Sequence, residues 1–376
     1  MNINNPFLIS GYHSPAYFCD RAKETQTIIN ALQNGRDITL IAPRRMGKTG
    51  LIKHVFHQLK EQQGDIVTLY MDIYSTRSIG QFIRLLANTV LGQLDSAPQK
   101  ALKRVSQFIK SCRPVFTFDE LTGVPKATIE LAPSAEETTL KEIFDYLKSA
   151  DKRCYIAIDE FQQITDYPEK GIEALLRSYI QFIPNVNFIF AGSKQHIMQE
   201  MFLSAKKPFY QSTQLLTIDR IEPGAYYEFA EAFFAQQQRE LTQPTFNTLY
   251  ERLEGHTWYM QCVLNRLYSY SVAIDEQLIA NALTEIIEES TYAYENLLTA
   301  YPSGSVRLLK AIASEGCVKE ILSGDFITKH RLKAASSVNS ALKKLVDNEL
   351  VYKKPEGYTI YDRFMGEWLR RQDSVF

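Results

Sequence analysis

Apolar positions along the chain fall into two kinds of pattern, short continuous runs and stretches spaced three and four residues apart. Ile38–Ile41 (ITLI) is a run of the first kind and predicts a buried strand. After the loop 42–49, Ile52, Val55, Phe56 and Leu59 recur at helical spacing. Residues 67–73 (VTLYMDI) form a second strand-like run, and Ile79, Phe82, Ile83, Leu86 and Val90 then mark a helix within 78–92. Upstream, Asp20-Arg21 opens an amphipathic segment over 24–32 that Asn34-Gly35 ends. Further strands follow at 154–158 (CYIAI), 187–191 (NFIFA) and 214–218, with a helix over 140–148 ahead of the first of them. Strands alternating with helical stretches predict an α/β fold with a parallel sheet. Residues 112–134 interrupt the rhythm with Pro114, Gly123-Val124-Pro125 and Pro133, and their short alternating runs at 115–118 and 128–131 predict a hairpin insertion.

From Glu222-Pro223-Gly224 onward only helical spacing remains, over 225–238, 246–253, 259–271 and 278–297, with a turn at Gly255-His256-Thr257. This predicts a small helical bundle acting as a lid. Beyond Tyr301-Pro302-Ser303-Gly304, helices at 306–313, 326–330 and 335–347 precede a hairpin, 350–353 and 358–361. Three helices and a two-stranded wing describe a winged helix-turn-helix with 336–344 as its recognition helix. The expected division is therefore a core over 1–221, a helical lid over 222–300 and a winged helix-turn-helix over 301–376.

Length and charge narrow the partners. At 376 residues the chain exceeds one typical domain, and its net charge of −1 supplies no global field for nucleic acid or membrane. No apolar stretch approaches a membrane span, and the start MNINNPFLISGYHS lacks a basic region followed by an apolar core, which argues against a signal peptide. Five cysteines (Cys19, Cys112, Cys154, Cys262, Cys317) without a CxxC pair argue against a disulfide framework or zinc site and fit a cytoplasmic protein. From residue 301 on, thirteen Lys and Arg against nine Asp and Glu leave +4. Arg331, Lys333, Ser337, Lys343, Lys344, Lys353 and Lys354 stand on the elements that would face a duplex, so they are the candidate DNA contacts. Winged helices also serve as protein-contact modules, and that partner stays open.

The chemistry is concentrated where strands end. A strand, a basic loop closing in Gly47-Lys48-Thr49 and a helix are the context of a Walker A phosphate loop. Residues Pro43, Arg44, Arg45, Met46, Gly47, Lys48, Thr49 and Gly50 would wrap ATP phosphates with loop amides and the positive end of the helix. Lys48 would reach the β- and γ-phosphates, and the Thr49 hydroxyl would hold Mg²⁺. The first glycine of the motif is Ala42 here, but Pro43 pushes residue 42 toward extended dihedrals that alanine adopts without strain. Asp159-Glu160 closes the apolar run 154–158 as a Walker B pair does, with Asp159 a second Mg²⁺ ligand and Glu160 the general base. Two such acids also occur as a strand-to-helix cap. Ser193, at the end of the strand 187–191, is a candidate sensor of the γ-phosphate or a helix cap. Arg21 and Phe18 are candidates to lie beside the adenine, with capping and packing the alternatives. His256 is a candidate sensor near the phosphates or a structural histidine.

Taken in order, Asp20-Arg21…Glu24, Ala42-Pro43-Arg44-Arg45-Met46-Gly47-Lys48-Thr49, Ile158-Asp159-Glu160-Phe161, Gly192-Ser193, Pro208-Phe209-Tyr210, Gly255-His256 and Asp362-Arg363-Phe364…Trp368-Leu369 resemble the archaeal-type ATPase family. These are P-loop proteins of the AAA+/STAND group, related to the origin-recognition ATPases. The resemblance spans nearly the whole chain. It implies an AAA+-like core, a helical lid, a C-terminal winged helix, ATP with Mg²⁺ and nucleotide-dependent oligomerisation. Two positions depart from the family: Gln211-Ser212 stands where relatives often carry an arginine, and Thr257 follows Gly255-His256 where proline is usual. Lys206, Lys207 or Arg220 could replace that arginine. The expectation is a slow or partner-stimulated ATPase whose ATP and ADP states set the position of the winged helix. The alternative is a DNA-binding regulatory module in which ATP is only a conformational ligand; a small-molecule kinase is weaker, because no acceptor-binding motif accompanies the loop.

Overall fold

The computed structural model describes residues 4–91, 94, 112–118, 125–131 and 136–373. Two compact units are formed, Ser10–Ile221 and Met1–Ile9 with Glu222–Phe376.

The first unit runs α1 (Ala22–Gln33), β1 (Ile38–Ile41), α2 (Lys48–Gln62), β2 (Ile66–Asp72) and α3 (Ile79–Leu91). The hairpin β3 (Cys112–Phe118) and β4 (Pro125–Leu131) follows, then α4 (Glu136–Lys148), β5 (Arg153–Asp159), α5 (Ile172–Ile180), β6 (Val186–Gly192), α6 (Gln195–Leu203) and β7 (Gln214–Thr217). Five strands make one parallel sheet in the order β2-β5-β6-β1-β7. The hairpin is a separate antiparallel pair, longer on both arms than its alternating runs suggested.

Period-two alternation divides the strands between two cores. On β5, Tyr155 and Ala157 join Ile189 and Ala191 of β6 beneath α1 and α2. Cys154, Ile156 and Ile158 point the other way, with Phe188 and Phe190, into a larger core under α3, α4 and α6. A sheet covered on both faces favours apolar residues at nearly every position, which is why these strands read as near-continuous runs rather than alternating ones.

The second unit is helical at first: α7 (Pro223–Gln236), α8 (Gln243–Arg252), α9 (Thr257–Ser269) and α10 (Glu276–Thr299). Glu222, Thr242 and Asp275 each accept a hydrogen bond from the backbone N–H three residues on, so three of these helices begin at a side-chain cap. Residues 4–9, expected to lead into the α/β core, pack in this unit instead. Phe7 is fully buried against Phe234 and Tyr268, at 5.3 and 5.7 Å between ring centroids, and Asn265 Nδ2 donates to its carbonyl at 2.7 Å.

Next come α11 (Ser303–Glu315), α12 (Gly324–Lys329), α13 (Ala335–Asp347), β8 (Val351–Lys354), β9 (Gly357–Ile360) and α14 (Arg363–Asp373). Val318 pairs with Tyr358 through two backbone hydrogen bonds of 2.9 and 2.8 Å, an isolated antiparallel bridge beside the wing. Gly357 is required there, since a Cβ would stand 2.5 Å from the Val318 carbonyl oxygen. Among the described residues no helix is long and apolar enough to cross a membrane.

Candidate functional site

The loop after β1 leaves the sheet with Ala42 N–H donating to the Gly192 carbonyl at 3.3 Å. The left-handed residues of this loop are Arg45 (φ 65°) and Gly47 (φ 91°), so Ala42 avoids the conformation that would need a glycine. Gly47 caps α2, which places Lys48 and Thr49 in its first turn. Lys48 is buried, with Nζ 3.5 Å from Glu160 Oε1.

Asp159 continues the alternation of Tyr155 and Ala157 and therefore emerges on the α2 side of the sheet. Thr49 Oγ1 donates to its Oδ2 at 2.7 Å, and Tyr70 of β2 donates to the same oxygen at 2.8 Å. Glu160, one residue beyond the strand, is left-handed at φ 55°. Its Oε2 accepts from Ser193 Oγ at 2.6 Å and from Gln162 Nε2 at 2.5 Å. Burial pushes the Glu160 carboxyl up, but Lys48, Ser193 and Gln162 outweigh it and hold the group below the ordinary glutamate value. The group is thus a carboxylate at neutral pH. Burial and the two neighbouring acids push Asp72 the opposite way.

The capping alternative for Ser193 does not match these contacts, whereas Asp159 Oδ1 does accept from the Glu160 N–H at 3.0 Å. Lys194, not Ser193, is the N-cap residue of α6, and the short helix Phe161–Asp166 begins without a side-chain cap from Glu160. Tyr70 and Gln162 were not singled out from sequence. A lone tyrosine in an apolar strand, and a glutamine directly after Asp159-Glu160-Phe161, were the available signals. Gly192 leaves room for Gln162, whose Oε1 would lie 2.4 Å from a Cβ at that position.

The remaining candidates spread over both units. Arg44 lies over the Tyr74 ring at 5.6 Å. Phe18 stacks on His54 at 4.3 Å and reaches Gly50 of α2, while Arg21 is buried and pairs with Glu24 at 2.9 Å. Lys207 is held by Glu173 and Glu200, at 3.1 and 3.5 Å. His256 is the N-cap residue of α9, edge-on to Tyr259 at 4.8 Å. On the winged helix, Arg331, Lys333, Ser337, Lys343, Lys344 and Lys353 are exposed, whereas Lys354 turns back to Glu254. A cavity of about 490 Å³ between α11 and α13 is lined by Arg307, Lys333 and Lys344 with Ser303, Ser337 and Ser340, and contains no carboxylate.

A family model described as "ATPase domain predominantly from Archaea" matches residues 18–263, from the segment ahead of α1 into α9. The chain belongs to this archaeal ATPase family. A second model, "Probable winged helix domain", matches residues 292–371. Placed beside the archaeal ATPases of known structure, the chain has the fold of a Walker-type ATPase of Pyrococcus abyssi, with a TM-score of 0.67 at 17% identity over 97% of this chain and 99% of that one. It is also similar to the ORC2 protein of Aeropyrum pernix, solved as ADPNP–ADP complexes, with a TM-score of 0.59 at 15% identity over 99% and 98%. The ORC1 protein of the same organism, solved in complex with DNA, gives a TM-score of 0.55 at 11% identity over 99% and 97%. An uncharacterised HTH-type transcriptional regulator of Methanocaldococcus jannaschii is 17% identical over 93% of this chain and 87% of its own length. The protein is thus an archaeal-type ATPase domain joined to a winged helix.

Proposed function

We propose that the protein binds and hydrolyses ATP at the end of β1, β5 and β6, and that its nucleotide state sets the position of the winged helix. The observation that carries this reading is that three separated stretches meet side chain to side chain: Thr49 bonds Asp159, while Lys48 and Ser193 both reach Glu160.

Thr49 and Asp159 offer a hydroxyl and a carboxylate, the hard oxygen ligands that Mg²⁺ prefers, and their mutual hydrogen bond brings both to one point. They would hold the ion, whose charge would offset that of the phosphate oxygens. The Lys48 ammonium binds the β- and γ-phosphates, and loop amides from Arg44 to Gly50 surround them. Water attacks the γ-phosphorus as the bond to the bridging oxygen of ADP breaks, and Glu160, kept ionised by its neighbours, takes a proton from that water. Ser193 donates to the γ-phosphate, and Phe18 and Arg21 line the base side. Glu160→Gln should keep ATP bound and lower turnover by roughly 10²–10⁴-fold, the usual worth of a general base. Turnover unchanged in that variant would contradict the assignment.

A second reading, duplex DNA as partner of the winged helix, is favoured by the carboxylate-free cavity beside the exposed start of α13. Affinity for duplex DNA should then fall linearly with the logarithm of salt concentration, with a slope of about −0.9 per phosphate contacted. Absence of binding at low salt would leave the module as a protein-contact surface.

A further inference from the structure

Tyr70 stands near the end of β2, and its hydroxyl is spent inside the candidate site. Its ring is half-buried against the core beneath α1 and α2, and Lys53, one turn beyond Thr49 on α2, lies over it at 5.5 Å. In the parallel register Tyr70 is paired with Ala157, and Asp159 lies two residues further along β5. Two residues advance a strand by about 6.6 Å, a gap that a tyrosine side chain spans and a serine or threonine does not. The small side chain of Ala157 leaves that path open.

A carboxylate offers two lone pairs on each oxygen. On Asp159, Oδ2 takes the Thr49 hydroxyl at 2.7 Å and the Tyr70 hydroxyl at 2.8 Å, so both its positions are filled. Oδ1 takes the Glu160 N–H at 3.0 Å and, among the described residues, keeps one position open. Thr49 has a single hydroxyl hydrogen, already committed to Oδ2, and its lone pairs stay free. What remains for a cation is the Thr49 oxygen and one lone pair of Oδ1. Without the Tyr70 hydroxyl, Oδ2 would have a lone pair to offer as well, and the carboxylate would lose one of its three anchors. That difference separates cations. Mg²⁺ demands near-ideal octahedral geometry, whereas Ca²⁺ is larger, tolerates irregular geometry and takes a carboxylate through one oxygen or both.

We propose that Tyr70 is a positioning residue that tunes the site toward Mg²⁺: by filling the second acceptor position of Oδ2, it restricts Asp159 to one open oxygen. The proposal rests on the reading of Thr49 and Asp159 as metal ligands, and adds a determinant of which cation they favour.

The affinity of a non-hydrolysable ATP analogue, measured by calorimetry on the full chain in EDTA, in Mg²⁺ and in Ca²⁺, tests it. In the wild type Mg²⁺ should raise the affinity above its value in EDTA. Tyr70→Phe keeps the ring and its packing, and should leave the EDTA value unchanged. The ratio of the Mg²⁺ affinity to the Ca²⁺ affinity should fall on the order of tenfold, the usual cost of losing a group that orients a metal ligand. An unchanged ratio would overturn the proposal, whether affinity falls equally in all three solutions or in none. Asp159→Asn separates that failure from failure of the underlying reading, because it should abolish the Mg²⁺ gain whatever Tyr70 contributes. A full Mg²⁺ gain in Asp159→Asn would remove Asp159 from the metal site, and the proposal with it. Absence of analogue binding by the wild type would refute the nucleotide site and the proposal together.

Discussion

Asp159 and Glu160 are consecutive in sequence and face different partners because a strand reverses its side chains at each residue. Asp159 inherits the α2 side of the sheet and meets Thr49, while Glu160, past the end of the strand, turns left-handed toward Lys48, Ser193 and Gln162. Tyr70 is the unforeseen member of this cluster. Its register partner on β5 is Ala157, two residues before Asp159 on the same face, which brings its hydroxyl to the carboxylate. Tyr70→Phe should therefore cost about 1 kcal/mol of stability in denaturant melts of the ligand-free protein, the net worth of one such hydrogen bond. An identical midpoint would mean that the bond contributes nothing. The Walker residues were legible in the sequence because strand, loop and helix are contiguous there. Tyr70 was not, because its role depends on which strand lies beside β2, and that pairing joins residues far apart in the chain.

The sheet order places β6 between β1 and β5, so Ser193 comes between the phosphate loop and the two acids. Sequence patterns located these strands well, since burial on both faces leaves few polar positions to confuse the period. Element ends were less legible: α4 begins at Glu136 and α8 at Gln243, ahead of the first apolar residues in each, where acidic residues or a Thr cap satisfy the first turn. On α14, burial pushes Glu367 up, but the hydrogen bond from Arg252 and the charge of Arg370 bring its carboxyl below the ordinary glutamate value. A group whose pKa is lowered by folding lends stability that is complete above the unfolded value, about 4.3, and is lost as pH falls through the folded one. Wild type should accordingly melt above Glu367→Gln at pH 7, with the difference closing as pH drops below about 4. A gap that stays constant with pH would show that the ion pair is not its source.

Lid and winged helix belong to one compact unit, and residues 4–9 belong to it as well. Nothing in the pattern of the first nine residues announces this, because Phe7 finds its aromatic neighbours on α7 and α9, more than two hundred positions downstream. Within that unit the long helix α10 packs on both α9 and α14, so the segment that bears His256 and the segment that bears the wing share a common support. The whole account depends on a triphosphate seated on the loop after β1. Titration calorimetry with ATP and Mg²⁺ on the wild type and Lys48→Ala tests that point most directly. The account predicts clear binding by the wild type and a loss on the order of a hundredfold in the variant, the worth of a charge-assisted contact. Equal affinity in the two proteins would contradict it.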